Sequence, residues 1–422
     1  FGLVRREEPG YLRVILFGDP QPYTIEEVNY YARDIIPDVI GELADPASPA
    51  SGAAFGISLG DLVGDDLALF GPLNAVTGAV GLPWFHVHGN HDMDLDAADD
   101  AHAADTYHRV YGPSNFAFEW GPAVFFVLDN VVYEGPKDDG KPGGYFAAFS
   151  EDQLTLIGNV LAGSDAELAV VTMHIPLDQV RNRKAFLEAL GDRPSVSISA
   201  HLHLHKEVVL GADGEPVAHP HAHEHGEDPD HGHAHHHIVS ATSGGSWWQG
   251  TFDEYGIPHA MMRDGAPNGW SVLEIDEAEY SVRFKGARKE WKEQMHIEAP
   301  DEIDARVRRV WPVVATVFAG SERSVVEMRV VTPGTGAATE WVAMEAFRGV
   351  DPNWARLKER EQREPAPEGK PLANLDPETL LWRGMVPGGL ASGGHLIEVR
   401  TRDQYGQEFT GRRVVRVVNG VE

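Results

Sequence analysis

Six short apolar runs, each closing on polar or small residues, constrain this chain more than any other feature. They are "YLRVILFGD", "FGISLGD", "PWFHVHGN", "AVFFVLDN", "LAVVTMH" and "SVSISAH". Apolar runs of this length read as strands buried in a layered core. The stretches between them carry helical signals: Thr24 and Glu27 form a capping box opening a helix on which Val28, Ile35, Val39 and Leu43 share a face. From Tyr11 to about Leu210 the order is therefore that of an α/β domain.

At 422 residues and 42% hydrophobic, the chain exceeds one typical domain, and two are expected. A charged stretch at 286 to 305, "GARKEWKEQMHIEAPDEIDAR", marks the change. Beyond it, "SVVEMRVV" places Val326, Met328 and Val330 on one face and Glu327 and Arg329 on the other, and "HLIEVRTRD" alternates likewise. These short strands predict a C-terminal all-β sandwich, interrupted by a Pro/Glu/Lys-rich loop at about 352 to 375. The expected division is an N-terminal remnant or linker at 1–10, an α/β domain at 11–295 and the β domain at 296–422. Residues 219–237, "HPHAHEHGEDPDHGHAHHH", hold nine of the 21 histidines and read as a mobile insertion between two strands.

A formal net charge of −30 repels polyanions, so a nucleic acid polymer is excluded as the expected partner. Zero cysteines leave oxygen and nitrogen donors as the available metal chemistry. No apolar run reaches the roughly 20 residues that span a bilayer. The sequence opens at Phe1 without a methionine, from which an upstream segment and an extracytoplasmic location are expected.

The polar ends of the apolar runs carry the chemistry. Asp19 and Gln21 end the first, Asp61 the second and Asn90 with His91 the third; His174 and the pair His201 and His203 end the last two. In α/β sheets the loops at this edge converge on ligands. Carboxylates, an amide oxygen and imidazoles suit Mn, Fe or Zn. Each piece has a plain alternative: Asp19 as a turn former, Gly60-Asp61 and Gly89-Asn90 as strand-end turns, His174 as a satisfied core histidine.

In their order and spacing, Asp19-x-Gln21, Gly60-Asp61, Gly89-Asn90-His91-Asp92, His174 and His201-x-His203 resemble the calcineurin-like metallophosphoesterase superfamily, over about residues 11 to 285. The resemblance implies a two-sheet α/β/β/α sandwich with two divalent metal ions at its edge. It puts Asp19, Gln21, Asp61 and His203 around one ion and Asp61, Asn90, His174 and His201 around the other, with Asp61 bridging. It makes His91 either the proton donor to the leaving oxygen or a stabiliser of charge on the phosphoryl group, while a metal-bound hydroxide attacks phosphorus in line. Asp65 is the nearest match to the acidic residue that orients this histidine, one residue later than in the protein phosphatase branch. Two positions depart from the usual pattern, Ala200 for glycine and Gln21 for histidine. Gln21 offers a neutral carbonyl oxygen, which favours manganese. Asp-x-Gln resembles a variant found in ADP-ribose and CDP-alcohol pyrophosphatases and in a branch of calcineurin-like protein phosphatases. The downstream string "SGGSWWQG" and the C-terminal β domain resemble bacterial calcineurin-like proteins with accessory domains.

The expected function is hydrolysis of a small-molecule, lipid-linked or sugar-linked phosphomonoester or phosphodiester. Nucleotide-diphosphate pyrophosphatase is one alternative, and a catalytically weak metal- or carbohydrate-binding protein another. Trp247 and Trp248 read either as a wall of the substrate pocket or as interdomain packing. Arg181, with Arg183 and Lys184, reads either as a phosphate ligand or as the solvated face of a helix.

Overall fold

The computed structural model describes residues 10–217, 234–306, 311–364 and 370–419. They form two compact units, one of residues 10–217, 234–248 and 268–283, the other of 249–267 and the described residues from 284 onward.

The first unit holds two large sheets. In one, β1 (Tyr11–Phe17), β2 (Phe55–Ser58) and β3 (Trp84–His86) run parallel, with β12 (Gly269–Asp276) antiparallel to β1 and β13 (Glu279–Gly286) at the edge. In the other, β5 (Ala123–Val127), β8 (Leu168–Thr172), β9 (Ser195–Ser199) and β11 (His235–Val239) run parallel, flanked by β4 (Phe116–Trp120) and β10 (Lys206–Leu210). A hairpin, β6 (Val131–Tyr133) with β7 (Tyr145–Ala147), stands apart.

Phe55 joins the sheets. Its ring meets Phe85 on β3 and Phe118, Trp120 and Phe125 on β4 and β5, with centroids 5.1 to 5.6 Å apart. Alternation then turns Val124 and Phe126 the other way, into a cluster with Ile157 and Leu161 of helix Glu151–Gly163 and Phe186 and Leu190 of helix Arg183–Leu190. On the opposite side Tyr31, from helix Ile25–Asp34, stands edge-on to Phe17 of β1. The layers are α/β/β/α, as the sequence implies.

The helix expected to run on through Leu43 breaks at Ile35, because Pro37 has no amide for the helical ladder. A second helix, Ile36–Ala44, restarts with that proline in its first turn. Half of the expected capping box forms: the Glu27 amide donates to Thr24 Oγ1 at 3.3 Å, while the Glu27 carboxylate accepts from the Tyr23 amide at 2.5 Å instead.

The second unit is the expected β-rich region. Val326, Met328 and Val330 point into its core with Ile397, Val399, Val415 and Val417, and Arg329 on the outer face pairs with Glu398 at 2.7 Å. Residues 352 to 361, expected as loop, are a helix: Asp351 caps it by accepting from the Trp354 amide, and Pro352 fits the first turn. Among the described residues no helix is long and apolar enough to cross a membrane.

Most of the histidine-rich segment lies outside the described residues, but its last three histidines begin β11, which corrects their reading as loop. On one face of the parallel pair β9 and β11, Ser195, His235, Ser197, His237 and Ser199 form an unbroken chain with bonds of 2.7 to 3.0 Å. The Leu177 amide donates to His237 Nε2 at 3.1 Å and fixes the polarity: each hydroxyl or N–H donates to the next acceptor toward Ser195. Burial pulls His235 down to about 3, helped by His236, and holds His237 well below its ordinary value. Both ionise near 6.5 in an unfolded chain, so their contribution to stability is complete above that pH and declines as pH falls toward 3. The slope is about 1.4 kcal/mol per pH unit for each histidine. Thermal melts between pH 7 and 5 should show this slope in the wild type and a shallower one in a His235→Gln, His237→Gln variant.

Candidate metal centre

Asp19 and Gln21 follow β1, Asp61 follows β2, Asn90 and His91 follow β3, His174 follows β8, and His201 and His203 follow β9. All five strands end on one edge of the sandwich, where the Gly18 amide donates to the Ala241 carbonyl at 3.3 Å and ties the two sheets together.

One group of ligands is closely packed. His174 Nδ1 donates to the Leu59 carbonyl at 2.8 Å, which leaves Nε2 to face the pocket. Facing it are Asn90 Oδ1 at 3.1 Å, Asp61 Oδ2 at 3.2 Å and His201 Nδ1 at 3.2 Å. Asp61, His174 and His201 offer three donor atoms within 4.8 Å of one another. A proton on His174 satisfies one neighbour; a divalent cation satisfies all of them.

The second group is looser. Asp19 Oδ1 and Gln21 Oε1 are buried with no hydrogen-bond partner. His203 donates from Nδ1 to the Gly245 carbonyl at 2.5 Å and brings Nε2 to 3.8 Å from Asp19 Oδ1. Unsatisfied buried acceptors beside an imidazole lone pair fit a cation and little else. The two carboxylates are held alike: Asp19 Oδ2 accepts from the His201 amide at 3.0 Å and Asp61 Oδ1 from the His91 amide at 2.8 Å. Each keeps its other oxygen for an ion.

Backbone conformation carries the same message. Asp19, Gln21, Asp61, His201 and His203 have φ of 33°, 39°, 47°, 71° and 54°, in the left-handed region. Such residues cost about 1–3 kcal/mol each and cluster where function demands them. Ala200, in the place of the usual glycine, is not among the residues of positive φ, so its methyl adds no such strain.

Electrostatics separates the two carboxyls. Burial, with the Asp61 charge, pushes Asp19 up to about 8, against the opposing pull of His174. Asp61 resists burial because His174 beside it holds it below the usual carboxylate range. Burial lowers His201 to about 3 and His203 to about 4, leaving neutral imidazoles ready to ligate. The two carboxyls are thus driven apart, Asp19 toward its neutral form and Asp61 toward its charged one.

His91 stands beside the ligands. Its Nδ1 lies 2.7 Å from Asp65 Oδ1, and the Asp65 amide donates to the His91 carbonyl at 3.3 Å. Burial lowers His91, but the bond to Asp65 and the charges of Asp61 and Asp65 outweigh it and raise the ring to about 9. The geometry thus joins the pair expected from sequence.

Two substrate expectations are corrected. Trp248 is 1% exposed, and its indole N–H donates to the Pro20 carbonyl at 2.9 Å, bracing the Asp19 loop from behind. Arg181 stacks on Phe146 at 3.5 Å. Phe146 faces away from its β7 neighbour Tyr145, whose ring meets His201. Arg183 binds the Gly214 carbonyl and Glu215, and Lys184 pairs with Glu188, as a solvated helix face would. Trp247 remains at the centre, its ring 4.4 Å from that of His203.

Sequence reasoning missed the brace beneath the ligands. Asp92, fully buried, accepts from the amides of Leu62 and Gly89 at 2.9 Å and of Val63 at 3.2 Å, locking the Asp61 loop to the Asn90 loop. Tyr23 and Tyr145 were also missed; nothing in local sequence places either ring against a ligand.

Residues 236–409 match the family described as "C terminal of Calcineurin-like phosphoesterase". No curated protein matches the chain. Among solved structures, one titled "Structure of PhoD" is similar at 11% identity and a TM-score of 0.45, covering 74% of this chain and 71% of that one. Purple acid phosphatase PPD1 from yellow lupin (Lupinus luteus) seeds is similar at 12% identity and 0.44, covering 66% of this chain and 52% of the lupin enzyme. The part of the chain that resembles this family is its C-terminal portion.

Gly89 offers a direct test of the geometry. A Cβ there would lie 2.1 Å from the Asp61 amide nitrogen and 2.4 Å from its Oδ1. Overpacking of this kind costs about 1–3 kcal/mol, and here it falls on Asp61. Gly89→Ala should weaken metal binding about tenfold or more, read by metal analysis after dialysis, with the fold retained by circular dichroism.

Proposed function

We propose that residues 11–295 hydrolyse a phosphomonoester or phosphodiester at a dinuclear centre, with 296–422 as an accessory domain. Asp19, Gln21, Asp61 and His203 hold one ion; Asp61, Asn90, His174 and His201 hold the other. The crowding of Asp61 Oδ2, Asn90 Oδ1 and His201 Nδ1 around His174 Nε2 carries this reading. When bound, two divalent ions activate water and neutralise charge on the phosphoryl group. Manganese is favoured because Gln21 brings a neutral oxygen where the usual pattern brings imidazole.

The protein's own groups do the rest. His91, kept protonated near neutral pH by Asp65, gives its proton to the leaving oxygen, and Asp65 fixes the ring so that Nε2 faces the reacting group. Asn90 Oδ1 ligates while its amide N–H is free to meet a phosphoryl oxygen. Asp19 and Asp61, each anchored by a backbone amide, keep the ions in register.

Asp61→Ala and His174→Ala should each abolish bound metal and turnover; a fully active Asp61→Ala protein contradicts the reading. Asp65→Asn should lower kcat about 10²-fold, the usual contribution of a positioned acid, with metal content unchanged. Assayed with Mn²⁺ on ADP-ribose, CDP-choline, a nitrophenyl diester and a phosphomonoester, the enzyme should turn over the simple esters. Turnover confined to the first two makes it a pyrophosphatase. Gln21→His should shift metal preference from Mn²⁺ toward Zn²⁺, and an unchanged preference reduces Gln21 to a turn residue.

A further inference from the structure

We propose that the centre selects phosphoesters whose organic group carries a planar aromatic ring, as in a nucleoside or aryl ester, and that Trp247, Tyr145 and Tyr23 are the selecting residues. The inference rests on the metallophosphoesterase reading and names the substrate class for that same site. Three aromatic rings from three separate segments each stand against a different imidazole. Trp247 lies tilted against His203 at 4.4 Å, Tyr145 edge-on to His201 at 6.2 Å and Tyr23 edge-on to His91 at 5.9 Å. The three rings flank the imidazoles at which an ester would be held.

The rings are presented rather than buried. Tyr145 is 40% exposed, and Trp247 and Tyr23 are half-buried. Trp247 is held at φ +61° and its neighbour Trp248 at +52°, a backbone that bulky residues rarely adopt. Trp248, bonded to the Pro20 carbonyl and packed on Tyr30, fixes this turn and so aims Trp247 at His203. Strain maintained in this way marks a functional position.

The phosphoryl end offers little else to discriminate with. Among the described residues, the hydrogen bonds and ion pairs of Asp19, Gln21, Asp61, Asn90, His91, His174, His201 and His203 run to one another, to backbone groups, to Tyr23 and to Asp65, and none to a lysine or arginine. The described residues thus offer discrimination at the organic group. Aromatic stacking accepts every base or aryl ring because each has a π face.

Phosphonates test this without turnover, because their carbon–phosphorus bond is not hydrolysed. Calorimetry on the manganese-loaded protein would compare methylphosphonate, phenylphosphonate and the 5′-phosphonate of thymidine. The ring-bearing ligands should bind about tenfold tighter, the effect of one stacked ring, and the tighter of the two tells aryl from nucleoside. Trp247→Ala with Tyr145→Ala should erase the difference, and Trp247→Phe should keep it. Equal affinities in the wild type, or a preference that survives in the double variant, overturn the proposal. A protein that hydrolyses no ester yet keeps the preference contradicts the hydrolase reading and leaves the aromatic selection standing.

Discussion

Everything at the working edge of this protein depends on too many lone pairs meeting where there are too few protons. The Leu59 carbonyl takes the N–H of His174 Nδ1, and Nε2 on the far side of the ring faces two oxygens and a second imidazole. Asp19 and Gln21 add buried oxygens with no partner. Desolvated acceptors repel one another strongly in a low dielectric, and divalent ions turn that repulsion into binding. The fold holds an arrangement that a divalent cation satisfies more fully than a proton on His174 does.

Holding it requires the loops to be stiff. Five ligands sit in left-handed backbone, Gly60 at φ +91° leaves no room for a side chain beside His174, and the buried Asp92 carboxylate ties the Asp61 and Asn90 loops through three amides. Hydrogen bonds to a buried carboxylate contribute about 1.5–3 kcal/mol each, enough to offset much of the local strain. The phenylalanine cluster around Phe55 keeps the two sheets in register, so ligands from both arrive at one edge.

Much of this was legible in the sequence because strand ends and ligand chemistry are both local signals. The apolar runs ending in Asp19, Asp61, Asn90, His174 and His201 announced the edge, and alternation in "SVVEMRVV" announced the core face of the second unit. Features set by distant partners were not legible. Trp248 and Trp247 are neighbours in sequence with opposite fates, decided by the Pro20 carbonyl behind one and the His203 ring before the other. Arg181 was aimed at phosphate by its charge and turned away by Phe146. His235 and His237 looked like low-complexity loop, yet the serines of β9 pair with them and draw them into a sheet. Residues 352 to 361 looked like loop by composition, although Asp351-Pro352 is a helix start.

The central claim is that two ions, bridged by Asp61, occupy this edge together. Electron paramagnetic resonance on protein titrated with manganese tests it most directly. The account predicts that the signal of isolated Mn²⁺ gives way to a spin-coupled spectrum, saturating at two ions per chain and lost in Asp61→Ala. Saturation at one ion, with an uncoupled spectrum throughout, would contradict it.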